Sequence, residues 1–147
     1  MSRRTSREVA VKIIFQNEFI DHRLKTDIDE LVETVDAETM LAMYLNSVSQ
    51  EEAEKIDTGY VLSVLQGVVS NVEALDQLIV AHSKDWTLDR MAKMDLAILR
   101  VAIYEMKFME DIPVRVSVNE AVELAKQFSY PEAFSFINGV LGSVDRE

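Results

Sequence analysis

Six residues punctuate this chain, four glycines and two prolines in 147. Average usage would supply about three times as many. A protein of many short strands needs a turn every eight to twelve residues or so, and turns draw heavily on Gly and Pro. Too few are present for an all-β architecture. Ala, Leu, Glu, Met and Lys dominate instead, with apolar residues recurring at intervals of three and four, the helical period. The dipeptide Asn138-Gly139 argues the other way, being the strongest short-range hairpin signal. Its surroundings overrule it. Ala133, Phe134, Ile137, Val140 and Leu141 keep helical spacing, and a lone hairpin would have no sheet to join. FSFINGVL is therefore predicted as helix, with Gly139 admitting a close neighbour and Asn138, if buried, bonded to backbone.

The same periodicity lays out the rest. From about Ser6 to Ile20 two apolar stripes run side by side. Val9, Ala10, Ile13 and Ile14 suit a core, while Val11, Phe15 and Phe19 point elsewhere. A second helical region covers residues 27–46, broken near Asp36. Ser49 is a cap ahead of Glu51 and Glu52, which favour the positive end of a helix dipole. One long helix is expected from Glu51 to Asn71, with Val61, Leu62, Leu65, Val68, Val69 and Val72 as its core face and Gly67 marking close packing. Leu75, Leu78, Ile79 and His82 carry the next, and Trp86 is expected as a packing anchor. Residues 91–109 are apolar on most sides, the mark of a central buried helix, and Pro113 stops it. Either Ser117, in a Ser-x-x-Glu capping box with Glu120, or Asn119 opens the helix that follows. The expectation is a single domain, 1–147, built as an all-α bundle of about seven helices.

Net charge is −11, which excludes indiscriminate coating of nucleic acid. The charge is unevenly spread. Residues 1–25 hold six Lys/Arg against three Asp/Glu, whereas residues 26–57 hold one against ten. A basic arm on an acidic body suggests local contact with a polyanion, or simply a solvated helix end. Arg3 and Arg7 share a helix face and Arg4 lies beside them. Phe15 and Phe19 share another, fit for a core or for a partner's groove. Tyr104, Phe108, Phe128, Tyr130, Phe134 and Phe136 make the C-terminal half aromatic, and rings near Lys126 could stack unpaired bases.

Other chemistries are missing. The chain has no cysteine, and its two histidines, His22 and His82, are sixty residues apart, so no metal or cofactor is expected. Arg7, Glu8 and Lys12 interrupt any export signal, and no apolar run approaches the roughly 18–20 residues of a membrane span. A cytoplasmic protein without a membrane partner is expected. No phosphate loop, dinucleotide fingerprint or nucleophile elbow is present, so an enzyme is not expected.

Three segments, RRTSREVAVKIIFQ, DLAILRVAIYEM and IPVRVSVNEAVELAKQFS with FINGVL beyond it, resemble the NusB family of bacterial transcription antitermination factors. VNEAVELAKQF followed ten residues on by NGVL is the specific part. The resemblance implies two small helical subdomains and an RNA-binding adaptor. It implies pairing with the ribosomal protein NusE on single-stranded boxA RNA, notably in ribosomal RNA leaders, within the RNA polymerase antitermination complex. It further implies RNA contacts from Arg3, Arg4, Arg7, His82, Lys126, Phe128 and Phe136, and NusE contacts from Phe15, Phe19 and Asp95. Some positions depart from the family. Thr5 stands where arginine is common, Ser129 where glycine is usual, and Ala133 and Ser135 where the family tends to carry serine and lysine. Each lost cation lowers the salt slope of RNA binding by roughly one unit. A second reading is therefore a divergent module that binds NusE with little or no RNA binding. Similar domains precede a ribosomal RNA methyltransferase in some proteins, but 147 residues leave no room for that catalytic domain. A homodimer of the free protein, covering Phe15 and Phe19, stays open.

Overall fold

The computed structural model describes residues 2–27, 36–84 and 86–147, and of residues 19–27 the helical backbone alone. The described residues form eight α-helices and one 3-10 turn, with no strand. They divide into two compact units, residues 1–66 and 67–147. No single described helix is long and apolar enough to cross a membrane.

In the first unit α1 runs Arg3–Asp27 and packs on α2, Ala37–Ser47. Asp36 opens α2 by accepting from the Thr39 amide at 2.8 Å, the cap that the break near Asp36 requires. Residues 28–35 of the expected second helical region lie outside the described residues. Val9, Ala10, Ile13 and Ile14 are buried as expected, but so is Val11, at 2% exposure. The second stripe of α1 thus begins at Phe15, which is half-buried. The Phe19 side chain lies outside the described residues.

The single long helix expected from Glu51 to Asn71 is two. Ser49 caps α3, Gln50–Glu54, through the Glu52 amide, and α4 spans Thr58–Ser70. The break has a cause far away in sequence. The Asp57 amide donates to Ser6 Oγ at 2.8 Å, out of the helical ladder, and Asp57 Oδ1 accepts from the Tyr60 amide to start α4.

In the second unit α6, Lys93–Phe108, packs against α5, Val72–His82, against α7, Val114–Phe128, and against α8, Ala133–Arg146. Every residue from Asp95 to Ile103 is buried, so the buried central helix expected within residues 91–109 is α6. Its buried charges are matched. Arg100 makes a bidentate pair with Asp76, both bonds 2.9 Å, and Glu105 accepts from Ser117 Oγ at 2.8 Å. That bond removes Ser117 from any capping role. Pro113 opens α7, and Ser117 sits a turn inside it. Gly67 does mark close packing, because a Cβ there would fall closer than 3.0 Å to the Tyr104 ring. FSFINGVL is helical. Gly139, however, meets no neighbour within 4 Å, and Asn138 is exposed.

Candidate nucleic-acid and partner surfaces

Arg3 and Arg4 lie in the first turn of α1, which carries no acidic residue. Cations there oppose the helix dipole, costing about 0.3–1 kcal/mol each where exposed. Both are exposed. The Arg3 guanidinium sits 4.6 Å from the centroid of the Tyr60 ring, which orients it while leaving its donors open. Arg7 differs. It is 4% exposed, with its guanidinium 6.0 Å from the same ring. The three arginines are therefore not one exposed cluster.

Asp95 stands in the first turn of α6 and is 1% exposed. It accepts from Ser129 Oγ at 2.6 Å and from the Tyr130 hydroxyl. Burial pushes its carboxyl above the ordinary value near 3.8, against these two bonds, which pull it down. Tyr130 is raised in turn, first by burial and then by the Asp95 charge. Ser129 replaces the family's glycine without strain. It takes φ −116°, ψ −174°, so no left-handed terminator is needed there. A cavity of about 380 Å³ opens beside Asp95, walled by Trp86, Tyr130 and Phe136. Trp86 is no packing anchor. It is 48% exposed and tilts against Phe136 with ring centroids 5.9 Å apart.

Phe136 also walls a second cavity of about 380 Å³ on the His82 side. His82 Nδ1 meets Ser143 Oγ at 2.7 Å and Nε2 meets Glu147 Oε2 at 2.6 Å. The bond from His82, more than the nearby positive charge of Lys107, holds the Glu147 carboxyl below its ordinary value. A serine, a histidine and a glutamate in line invite comparison with a nucleophilic triad. Ser143 lies inside α8, where backbone N–H groups are spent on the helix and cannot serve an oxyanion. Among the described residues no group of His, Cys, Asp and Glu could hold a metal.

Lys126, in the last turn of α7, pairs with Glu123 at 3.6 Å and lies 5.2 Å over the Phe134 ring. Phe134 and Tyr130 are 39% and 46% exposed. Phe128 and Phe136 are half-buried. The second unit thus gathers His82 and Phe136 around one cavity, and Lys126 and Phe134 on the α7–α8 end. Lys84 and Arg146, which line the His82 cavity with Ser135, were not singled out by sequence. Ser135, Gly139 and Ser143 at intervals of four were legible as one helix face, whereas nothing in the sequence marks Lys84.

The NusB family matches this chain over residues 4–146. The transcription antitermination protein NusB of Clostridium botulinum is 40% identical, covering 98% of this chain and 99% of its own. The structure of T. maritima NusB superposes with TM-score 0.74 at 26% identity, over 99% of this chain and 92% of that one. A complex of the antitermination factors NusB and NusE with double-stranded RNA contains a chain of the same fold, TM-score 0.70 at 18% identity, over 98% of this chain and 96% of that one.

Proposed function

The chain belongs to the NusB family, and on that premise we propose that it is a transcription antitermination factor, acting as an adaptor rather than by catalysis. In this reading it pairs with NusE and binds single-stranded boxA-type RNA, in the cytoplasm, as part of the RNA polymerase antitermination complex on ribosomal RNA operons. The observation that carries it is the length of the family match, residues 4–146, which takes in Arg4 and Arg7 at the start and FINGVL at the end. Arg3 and Arg4 support it, as exposed cations in the first turn of α1. Lys126 over the exposed Phe134 ring supports it, a cation on an accessible ring being the combination that grips unstacked bases. His82 and Phe128 are assigned to the same RNA surface by family likeness. Arg7, buried, acts behind Arg3 rather than on phosphate.

Phe15 and Phe19 form the NusE face, with Asp95 acting through the loop it holds by Ser129 and Tyr130. The test is replacement of both phenylalanines by alanine. NusE affinity should fall at least tenfold, about 1.4 kcal/mol, with the circular dichroism spectrum unchanged. Unchanged affinity would refute the assignment of this face, and sedimentation of the free protein would report whether a second copy covers it. A second reading, a NusE-binding module with weak RNA binding, is favoured by one observation, the burial of Arg7 in a chain of net charge −11.

A further inference from the structure

Tyr60 brings a ring to a helix whose other buried residues, Val61, Val64, Leu65 and Val68, are aliphatic. It is 5% exposed, in the first turn of α4. What the ring adds to its surroundings is a place for cations. The Arg3 guanidinium lies over it, 4.6 Å from the centroid, and that of Arg7 lies 6.0 Å away. The two arginines are one helical turn apart on α1. An aromatic face attracts a cation through its quadrupole, which an aliphatic side chain of similar bulk does not. Arg7, 4% exposed, is held within the unit, and Arg3 is the one of the pair that reaches solvent.

The place of the ring beside α1 is fixed by bonds. The Asp57 amide donates to Ser6 Oγ at 2.8 Å, and Asp57 Oδ1 accepts from the Tyr60 amide at 3.1 Å. Ser6, Asp57, Tyr60 and Arg3 thus form a circuit that leaves α1 and returns to its first turn. Ser6 and Tyr60 are buried, and only the far end, Arg3, is open to water among the residues that begin and end the circuit. The first turn of α1 has little other support. It holds no acidic residue, and its capping bond, from the Thr5 amide to Ser2 Oγ, is stretched to 3.4 Å. A guanidinium on a frayed helix end samples many orientations. Held over a ring face, it keeps its planar fork of N–H donors at the edge, where a phosphate oxygen can meet them. Ordering the side chain before binding removes that cost from the binding step.

We propose that Tyr60 is a positioning residue for RNA binding: its ring holds the Arg3 guanidinium toward a phosphate of the bound strand, and the Ser6–Asp57 bond keeps the ring in register with α1. The proposal rests on the RNA-binding reading above and extends it to residues that act through Arg3 rather than on RNA.

The test uses full-length variants that keep the shape of the ring. Tyr60→Phe retains the negative ring face, whereas pentafluorophenylalanine at position 60 has a similar outline with the quadrupole reversed, so it removes the attraction without opening a cavity. Matched Tm and circular dichroism for the pair establish that the fold is kept. Binding of a labelled single-stranded boxA-like RNA is then measured with NusE present, over a range of salt. Tyr60→Phe should bind within about two-fold of wild type, and the fluorinated ring about three- to ten-fold more weakly. The fluorinated ring should also lower the salt slope toward that of Arg3→Ala, by up to about one unit. A ring with a packing role alone would not move the slope, because its replacement removes no charge. In an Arg3→Ala background the two rings should bind RNA equally. A second measurement leaves the core untouched: in the wild-type protein the Arg3 side-chain protons should carry an upfield ring-current shift, and random-coil values there overturn the proposal. Wild-type RNA binding that the fluorinated ring leaves unchanged overturns the positioning role and leaves the RNA reading intact. Equal losses with and without Arg3 also overturn it and assign Tyr60 to packing. No RNA binding by the wild type with NusE present overturns the RNA reading and the proposal together.

Discussion

Gly67→Ala tests the packing of α4 most sharply. A new Cβ at this position would fall closer than 3.0 Å to Cζ, Cε1 and Oη of Tyr104, so the ring must move. Tyr104 is also stacked on Phe108, with centroids 5.2 Å apart, and moving it disturbs that pair. Overpacking of this kind costs about 2–3 kcal/mol. Alanine returns about 1 kcal/mol through helix propensity. The net expectation is a loss of about 1–2 kcal/mol, or a fall in Tm of roughly 3–8 °C. The sign should invert when the ring is absent. In a Tyr104→Ala background, Gly67→Ala should stabilise by about 1 kcal/mol, giving a coupling of about 2–3 kcal/mol across the double-mutant cycle. Urea unfolding followed by circular dichroism measures all four proteins, with unchanged m values as the check on two-state behaviour. Equal effects in both backgrounds, within about 0.5 kcal/mol, would refute the steric argument.

Two further expectations follow from the second unit. The folded state holds the Asp95 carboxyl above its ordinary value near 3.8 by burial, so the protonated form favours folding and stability drains as pH rises through the raised value. Asp95→Asn should therefore gain on wild type in urea midpoint near pH 7 and show no such gain near pH 3; the same difference at both values would contradict the burial argument. Arg100→Met leaves Asp76 without its bidentate partner at 19% side-chain exposure and should cost about 3 kcal/mol, most of it recovered in the double variant with Asp76→Leu. No recovery in calorimetric Tm would mean that the pair is itself the stabilising element.

What the sequence made legible follows from range. The helical period is local, and it located α5, α6 and α8 and overruled the hairpin signal at Asn138-Gly139. Where a partner is distant the period misleads. The break between α3 and α4 depends on Ser6, 51 residues from Asp57, and Ser117 is drawn from its capping role by Glu105 on another helix. Val11 looked surplus to the core because a one-dimensional stripe does not record how widely α1 is covered. At the candidate site, Arg3 and Arg4 are where helix spacing put them, on an exposed first turn. Arg7 is one turn on and buried, a difference of environment that identical residue type and regular spacing conceal. The φ of 55° at Lys84 and the open space at Gly139 have no signature in composition or period at all.

The most direct measurement is fluorescence anisotropy of a labelled boxA-like RNA titrated with this protein, with and without NusE, at two salt concentrations. Antitermination by an RNA-bound pair predicts binding that NusE tightens and salt weakens, with Arg3→Ala and Arg4→Ala each lowering the salt slope by about one unit. No RNA binding in the presence of NusE, while the two proteins still associate, would contradict it and leave a NusE-binding module.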